Sequence, residues 1–145
     1  MKRRLSLLLV MALCSVAFLS SCAARPAEKD YIVVAYVTSW SRVMPDPAVM
    51  THVNYAFGHV NDTFDGVRIS KPDRLRQIVA LKSENPDLKV MLSVGGWESG
   101  RFSEMAADSL LRLSFANDCL KAVEEFGLDG IDIDWEYPTS SAAGI

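Results

Sequence analysis

The chain has 145 residues, the length of one ordinary domain, and half of them are hydrophobic, so it can bury a core and is no disordered or low-complexity polymer. Its formal charge of −3 becomes more negative once a basic leader is set aside, which leaves no patch of the kind nucleic-acid binding requires. Cysteines occur only at 14, 22 and 119, too few for a disulfide framework.

Lys2, Arg3 and Arg4 precede a mostly apolar stretch from Leu5 to Leu19. That stretch is short for a bilayer span of about 20 residues and reads as a secretory signal covering residues 1–21. Its end, Leu19-Ser20-Ser21-Cys22, resembles a bacterial lipobox, so Cys22 is expected to carry lipid; an ordinary small-residue cleavage site is the alternative. Acylation would anchor the secreted protein to a bacterial membrane in the cell envelope without spanning it. Residues 22–30 then form a polar tether. Cys14 leaves with the leader, and Cys119 stands alone on the apolar side of an expected helix, where packing is its ordinary role.

From residue 31 the pattern changes. Tyr31 to Val37 is a β-branched and aromatic run suited to a strand covered on both faces, with Thr38, Ser39 and Trp40 at its C-terminal end. Pro45 and Pro47 limit any helix before Thr51 to a short one. Val53 to Phe57 reads as a second strand. Between His59 and Ser70, the mixing of Val60, Phe64, Val67 and Ile69 with Asn, Asp and Gly predicts a small hairpin. A helix beginning at Ser70 or Asp73, with Leu75, Ile78 and Val79 as its apolar stripe, is expected to end at Asn85-Pro86. Lys89 to Val94 is a third strand. Phe102 to Phe126 reads as helical, with Phe115, Cys119, Ala122, Val123 and Phe126 on one face and Gly127 as C-cap.

Strands alternating with helices predict βαβ units and a parallel α/β sheet. The segment Leu128-Asp129-Gly130-Ile131-Asp132-Ile133-Asp134-Trp135-Glu136-Tyr137-Pro138 supplies its fourth strand. Side chains alternate along a strand, so Asp132, Asp134 and Glu136 share one face, with same-face neighbours about 6 to 7 Å apart. Desolvating three acids in a row is costly unless they share protons or serve a reaction. A solvated surface strand is the alternative, but Pro138 closes the run at the strand's C-terminal end, where parallel-sheet proteins place their sites. Asp129 lies off that register and reads as a structural residue at the strand start. Ser93 shares the inward register of the third strand with Met91 and Gly95. His52 and His59 have no companions at ligand spacing, so neither a metal nor a cofactor is expected.

The Leu128–Pro138 segment resembles the DGxDxDWEYP signature of glycoside hydrolase family 18, the chitinases and their relatives. Ser93-Val94-Gly95-Gly96-Trp97 is similar to the same family's SxGG motif. The resemblance implies a (β/α)8 barrel of which residues 31–145 carry only the first four βα units. A whole barrel takes about 250 residues. An open half leaves sheet edges unpaired, so an incomplete piece of a longer chain is expected, with an independent small α/β domain as the alternative.

The resemblance further implies hydrolysis of β-1,4-linked N-acetylglucosamine polymers by a retaining, substrate-assisted route. In that scheme Glu136 is the general acid and base, and the sugar's own acetamido oxygen is the nucleophile. Asp134 orients the acetamido group and stabilises positive charge, Asp132 shares a proton with Asp134, and Ser93 hydrogen-bonds the inner aspartates. Gly95 and Gly96 keep the rim open. Tyr36, Phe57, Trp97 and Tyr137 lie at strand ends where sugar rings can stack, core packing being the alternative. The family's sixth-strand Tyr and Asp and eighth-strand Trp have no counterpart here. Two other activities stay open: an endo-β-N-acetylglucosaminidase acting on N-glycans, and a chitin- or carbohydrate-binding protein without turnover.

Overall fold

The computed structural model describes residues 31–138. The expected leader, Cys22, the tether and the tail from residue 139 lie outside the described residues. Four strands form a parallel sheet in the order β1 (Val34–Thr38), β2 (His52–Val60), β4 (Lys89–Gly95), β5 (Gly130–Asp134). The short β3 (Val67–Ile69) pairs antiparallel with the C-terminal end of β2, closing the predicted hairpin. Helices α1 (Pro72–Val79), α2 (Phe102–Ala107) and α3 (Ser109–Phe126) occupy the connections, with short 3-10 turns at Pro47–Val49 and Ala80–Ser83. This is a partial (β/α)8 barrel of about four βα units, as the alternation of periods requires.

The core lies between one face of the sheet and the helices. Val53, Tyr55, Val90, Leu92 and Val94 point to that side and are fully buried against Leu75 and Ile78 of α1, Phe102 and Met105 of α2, and Phe115 and Cys119 of α3. Each such side chain contributes roughly 1.5–3 kcal/mol by leaving water. Tyr55 keeps its hydroxyl satisfied by donating to the Ser70 and Lys71 carbonyls at 2.8 and 3.0 Å.

Two expectations are corrected. The first strand begins later than Tyr31 and is not covered on both faces, since Val34 and Tyr36 are exposed while Val37 joins the core. A β-branched, aromatic composition reports a strand but not how much lies over each face. The helix expected from Phe102 to Phe126 is broken at Asp108, whose backbone is extended and whose carboxylate accepts from the Leu110 and Leu111 amides at 2.7 and 3.2 Å. That is an N-cap, and it starts α3 as a helix separate from α2. Gly127 is the left-handed C-cap of α3, as predicted.

Among the described residues, no helix is long and apolar enough to cross a membrane.

Candidate active site

On the sheet face away from the helices, strand register builds two rows. Tyr36, Asn54, Met91 and Gly130 form the lower row; Thr38, Ala56, Ser93 and Asp132 form the upper one. The small side chains of Ala56 and Ser93 leave room above the lower row. Tyr36 leans along its strand into that room, and its hydroxyl donates to Asp132 Oδ2 at 2.8 Å. The same oxygen accepts from Ser93 Oγ, also at 2.8 Å. Ser93 is 0% exposed, so its hydroxyl needs this partner.

Asn54 is a site residue that sequence reasoning missed. It is buried and sits in register beside Tyr36 in the lower row. The signal was present: Asn54 is a polar residue inside the run Val53 to Phe57, where only a side chain with a partner is tolerated. Asn54 acts to lower the Tyr36 pKa, but the Asp132 hydrogen bond, burial, and the charges of Asp132 and Asp134 together raise it.

Asp134 closes β5, opposite Gly95. A Cβ on Gly95 would stand 2.0 Å from the Asp134 carbonyl oxygen, so only glycine lets β5 come this close. Gly96 then donates its N–H to that carbonyl at 3.0 Å, and its bare Cα faces the Phe57 ring. These contacts account for both glycines by close approach of neighbours, where an open rim was expected. Burial raises the Asp134 pKa, helped by the charges of Glu136 and then Asp132.

The strand ends at Asp134, two residues before Glu136. Trp135 stacks on Phe102 of α2, ring centroids 5.5 Å apart, which fixes it to the helix side. Glu136 follows, half-buried, and its nearness raises the Tyr137 pKa, with burial and Asp134 adding less. The Tyr137 ring meets Trp97 edge-on at 6.1 Å.

The aromatic residues divide. Tyr36, Trp97 and Tyr137 are 56%, 69% and 49% exposed, whereas Phe57 is half-buried between Gly96 and His59. Trp40, at the end of β1, is also exposed. Beside it a cavity of about 230 Å³ is lined by Tyr36, Val37, Thr38, Ser41, Val43 and Pro45. Asp129 is at the opposite end of β5 from this site. Its carboxylate accepts from the Val90 amide at 2.8 Å and pairs with Lys82 at 2.6 Å and Lys89 at 3.6 Å.

Carboxylates gathered at the C-terminal end of β5 in a parallel β/α sheet stand where (β/α)8 barrels place their functional residues. The chain matches the model of Glycosyl hydrolases family 18 over residues 32–144 and belongs to that family. The chitinase domain of the spore coat protein CotE from Clostridium difficile is 36% identical, with a TM-score of 0.72 over 86% of this chain and 34% of that one. A family 18 N-acetylglucosaminidase from Paenibacillus barengoltzii is 40% identical, with a TM-score of 0.67 over 79% of this chain and 34% of that one. Probable chitinase 2 of Drosophila melanogaster is 33% identical over 94% of this chain and 33% of its own length. The chain thus spans about a third of the length of these relatives.

Proposed function

We propose that this chain carries the acid-bearing part of a chitinase-like glycoside hydrolase that cleaves β-1,4-linked N-acetylglucosamine polymers with retention of configuration. The observation that carries the reading is the arrangement around Asp132. Tyr36 and Ser93 each donate to one of its oxygens, while Asp134, raised in pKa, stands between it and Glu136.

In the mechanism, Glu136 protonates the departing glycosidic oxygen as the acetamido oxygen of the bound sugar attacks the anomeric carbon. A water then opens the resulting oxazolinium ion from the same face, with Glu136 taking its proton. Asp134 holds the acetamido N–H and balances the positive charge as it develops. Asp132 exchanges a proton with Asp134. Tyr36 and Ser93 keep the Asp132 carboxylate turned toward its neighbour. The exposed faces of Tyr36, Trp97 and Tyr137 offer stacking surface to sugar rings.

A thiazoline analogue of N-acetylglucosamine resembles the oxazolinium ion and is expected to inhibit a full-length barrel containing this segment. Trapping a covalent sugar on Asp132 or Asp134 would instead establish an ordinary two-carboxylate route. Hydrolysis of chitooligosaccharide compared with a high-mannose glycopeptide separates chitinase from endo-β-N-acetylglucosaminidase action.

The proposal extends to location: cleavage before Cys22, lipid on its sulfur, and attachment to a bacterial envelope membrane, supported by Leu19-Ser20-Ser21-Cys22 behind a basic, apolar leader. Intact mass of membrane-extracted protein decides it; an unmodified N-terminus refutes it.

A further inference from the structure

We propose that Arg74 is a positioning residue for substrate binding: its guanidinium fork holds the loop after β1 in place, and with it one wall of the cavity that Tyr36 lines. The proposal rests on the reading that the exposed face of Tyr36 receives a sugar ring.

The loop over residues 39–46 supplies Ser41, Val43 and Pro45 to that cavity, while β1 supplies Tyr36, Val37 and Thr38, so half of the lining moves with the loop. Core packing does not fix it, since Val43 and Met44 are 73% and 44% exposed. Next to β1 the loop is tied by its own turn: the Ser41 amide donates to the Thr38 carbonyl at 3.1 Å, and the Val43 amide to Ser41 Oγ at 3.2 Å. At its far end Asp46 accepts from the Ala48 amide at 2.9 Å, and Asn85 Nδ2 donates to the Pro47 carbonyl at 2.8 Å. Between these ends the loop meets Arg74, 31 residues away in sequence from Val43. Nη2 of Arg74 donates to the Val43 carbonyl at 2.6 Å, and Nη1 donates to the Met44 sulfur.

The base of this clamp is rigid. Arg74 lies in the first turn of α1, where its amide donates to the Lys71 carbonyl at 2.9 Å, and the buried Tyr55 fixes that turn by donating to the Ser70 and Lys71 carbonyls. Gln77, one turn further along α1, accepts from Nη1 at 3.1 Å and steadies the fork. A charged donor binds a carbonyl more strongly than a neutral one does. The planar fork also serves two acceptors on consecutive residues, which the single ammonium of a lysine cannot do together. Arg74 does not itself line the cavity, so its influence on a bound sugar passes through Val43 and its loop neighbours. Releasing the fork leaves the loop tied only at its two ends, and the wall opposite Tyr36 loses its fixed place.

The test uses a full-length barrel containing this segment, with Arg74→Leu and Arg74→Lys. Leucine removes every donor; lysine keeps the charge but offers one point. In both variants KM for chitooligosaccharide should rise about threefold to tenfold, the size expected for one net hydrogen bond, while kcat stays near the wild-type value. By NMR, the Met44 methyl signal should narrow and the amide signal of Ser41, which lines the cavity, should shift as the loop is released. The methyl signals of the buried Met50 and Met105 should stay in place. The proposal is overturned by a wild-type KM in Arg74→Leu, by a fall in kcat as large as the rise in KM, or by unmoved Met44 and Ser41 signals. Wild-type behaviour of Arg74→Lys overturns it too, because charge alone would then suffice, as does movement of Met50 and Met105 together with the loop, which marks a general loss of packing. The functional reading is scored apart: a wild-type barrel that neither binds nor hydrolyses chitooligosaccharide defeats it, while the Met44 and Ser41 signals still decide whether Arg74 holds the loop.

Discussion

Asp129 and Asp134 stand at the two ends of one short strand, yet their surroundings drive them in opposite directions. Burial opposes ionisation of both. At Asp129 a hydrogen bond from Lys82, another from the Val90 amide, and the charges of Lys82 and Lys89 outweigh it and hold the carboxyl below the usual range. At Asp134 the neighbouring charges are Glu136 and Asp132, which add to burial and raise it. A carboxylate supplied with cationic partners ties β5 to β4 and to the segment after α1; one placed beside other carboxylates gives up its proton less readily. The contrast lies within six residues, and it can be broken experimentally.

The largest effect is expected beside the raised acid. In a full-length barrel containing this segment, Glu136→Gln should lower kcat by about 10²- to 10⁴-fold while leaving chitooligosaccharide binding measurable, because the amide keeps the shape but gives no proton to the leaving oxygen. Steady-state hydrolysis and direct binding check it together, and an unchanged rate removes Glu136 from the role of acid. Asp134→Asn should cost about 10²-fold in kcat, through weaker control of the acetamido group.

The same Asp134 substitution should move stability the other way. A folded carboxyl with a raised pKa binds its proton more tightly than the unfolded chain does. Its contribution is therefore most favourable in acid and falls as pH rises from the ordinary carboxylate range through the folded value. Asp134→Asn should raise the melting temperature at neutral pH and have no such effect at about pH 3. A lower melting temperature at neutral pH would show that Asp134 has partners after all.

Asp129→Asn should do the reverse: it should lower stability by about 1–2 kcal/mol in urea melts at neutral pH, with sugar affinity unaltered. The folded pKa of Asp129 is depressed, so its stabilisation is present above the ordinary carboxylate range and is lost as pH falls through the folded value. The gap between wild type and variant should close in acid. Cys119 supplies the smallest effect, as a control without a counter-charge. Burial, with a lesser push from Asp118, drives its thiol up to about 11. It should react with a thiol reagent at neutral pH far more slowly in the native chain than in urea.

Much of this was legible in order along the chain. The shared face of Asp132 and Asp134 on β5, the helical spacing of Phe115, Cys119 and Ala122, and the glycine cap at Gly127 are local patterns, and local sterics decide them, whereas β5 ends before Glu136. The register of Asp129 sets it apart from the row, and the structure gives it Lys82, Lys89 and the Val90 amide as partners. The break at Asp108 was hidden because an apolar stripe continues across it, with Met105 and Phe115 both buried on the two sides. Phe102 and Trp135 looked like unrelated aromatics until β5 and α2 brought their rings together.

The sequence by itself determined the alternation of strands and helices, the parallel sheet and the family. Only the tertiary structure decided which partners the acids have. Tyr36 reaches Asp132 from 96 residues away, Asn54 stands beside Tyr36, and Gly95 is glycine because the Asp134 carbonyl occupies the space its Cβ would take. Periodicity sets the direction in which a side chain points along its own strand. Register between strands sets what it meets there, and that depends on a slip at Phe57 and on close backbone approach that no single segment of the chain encodes.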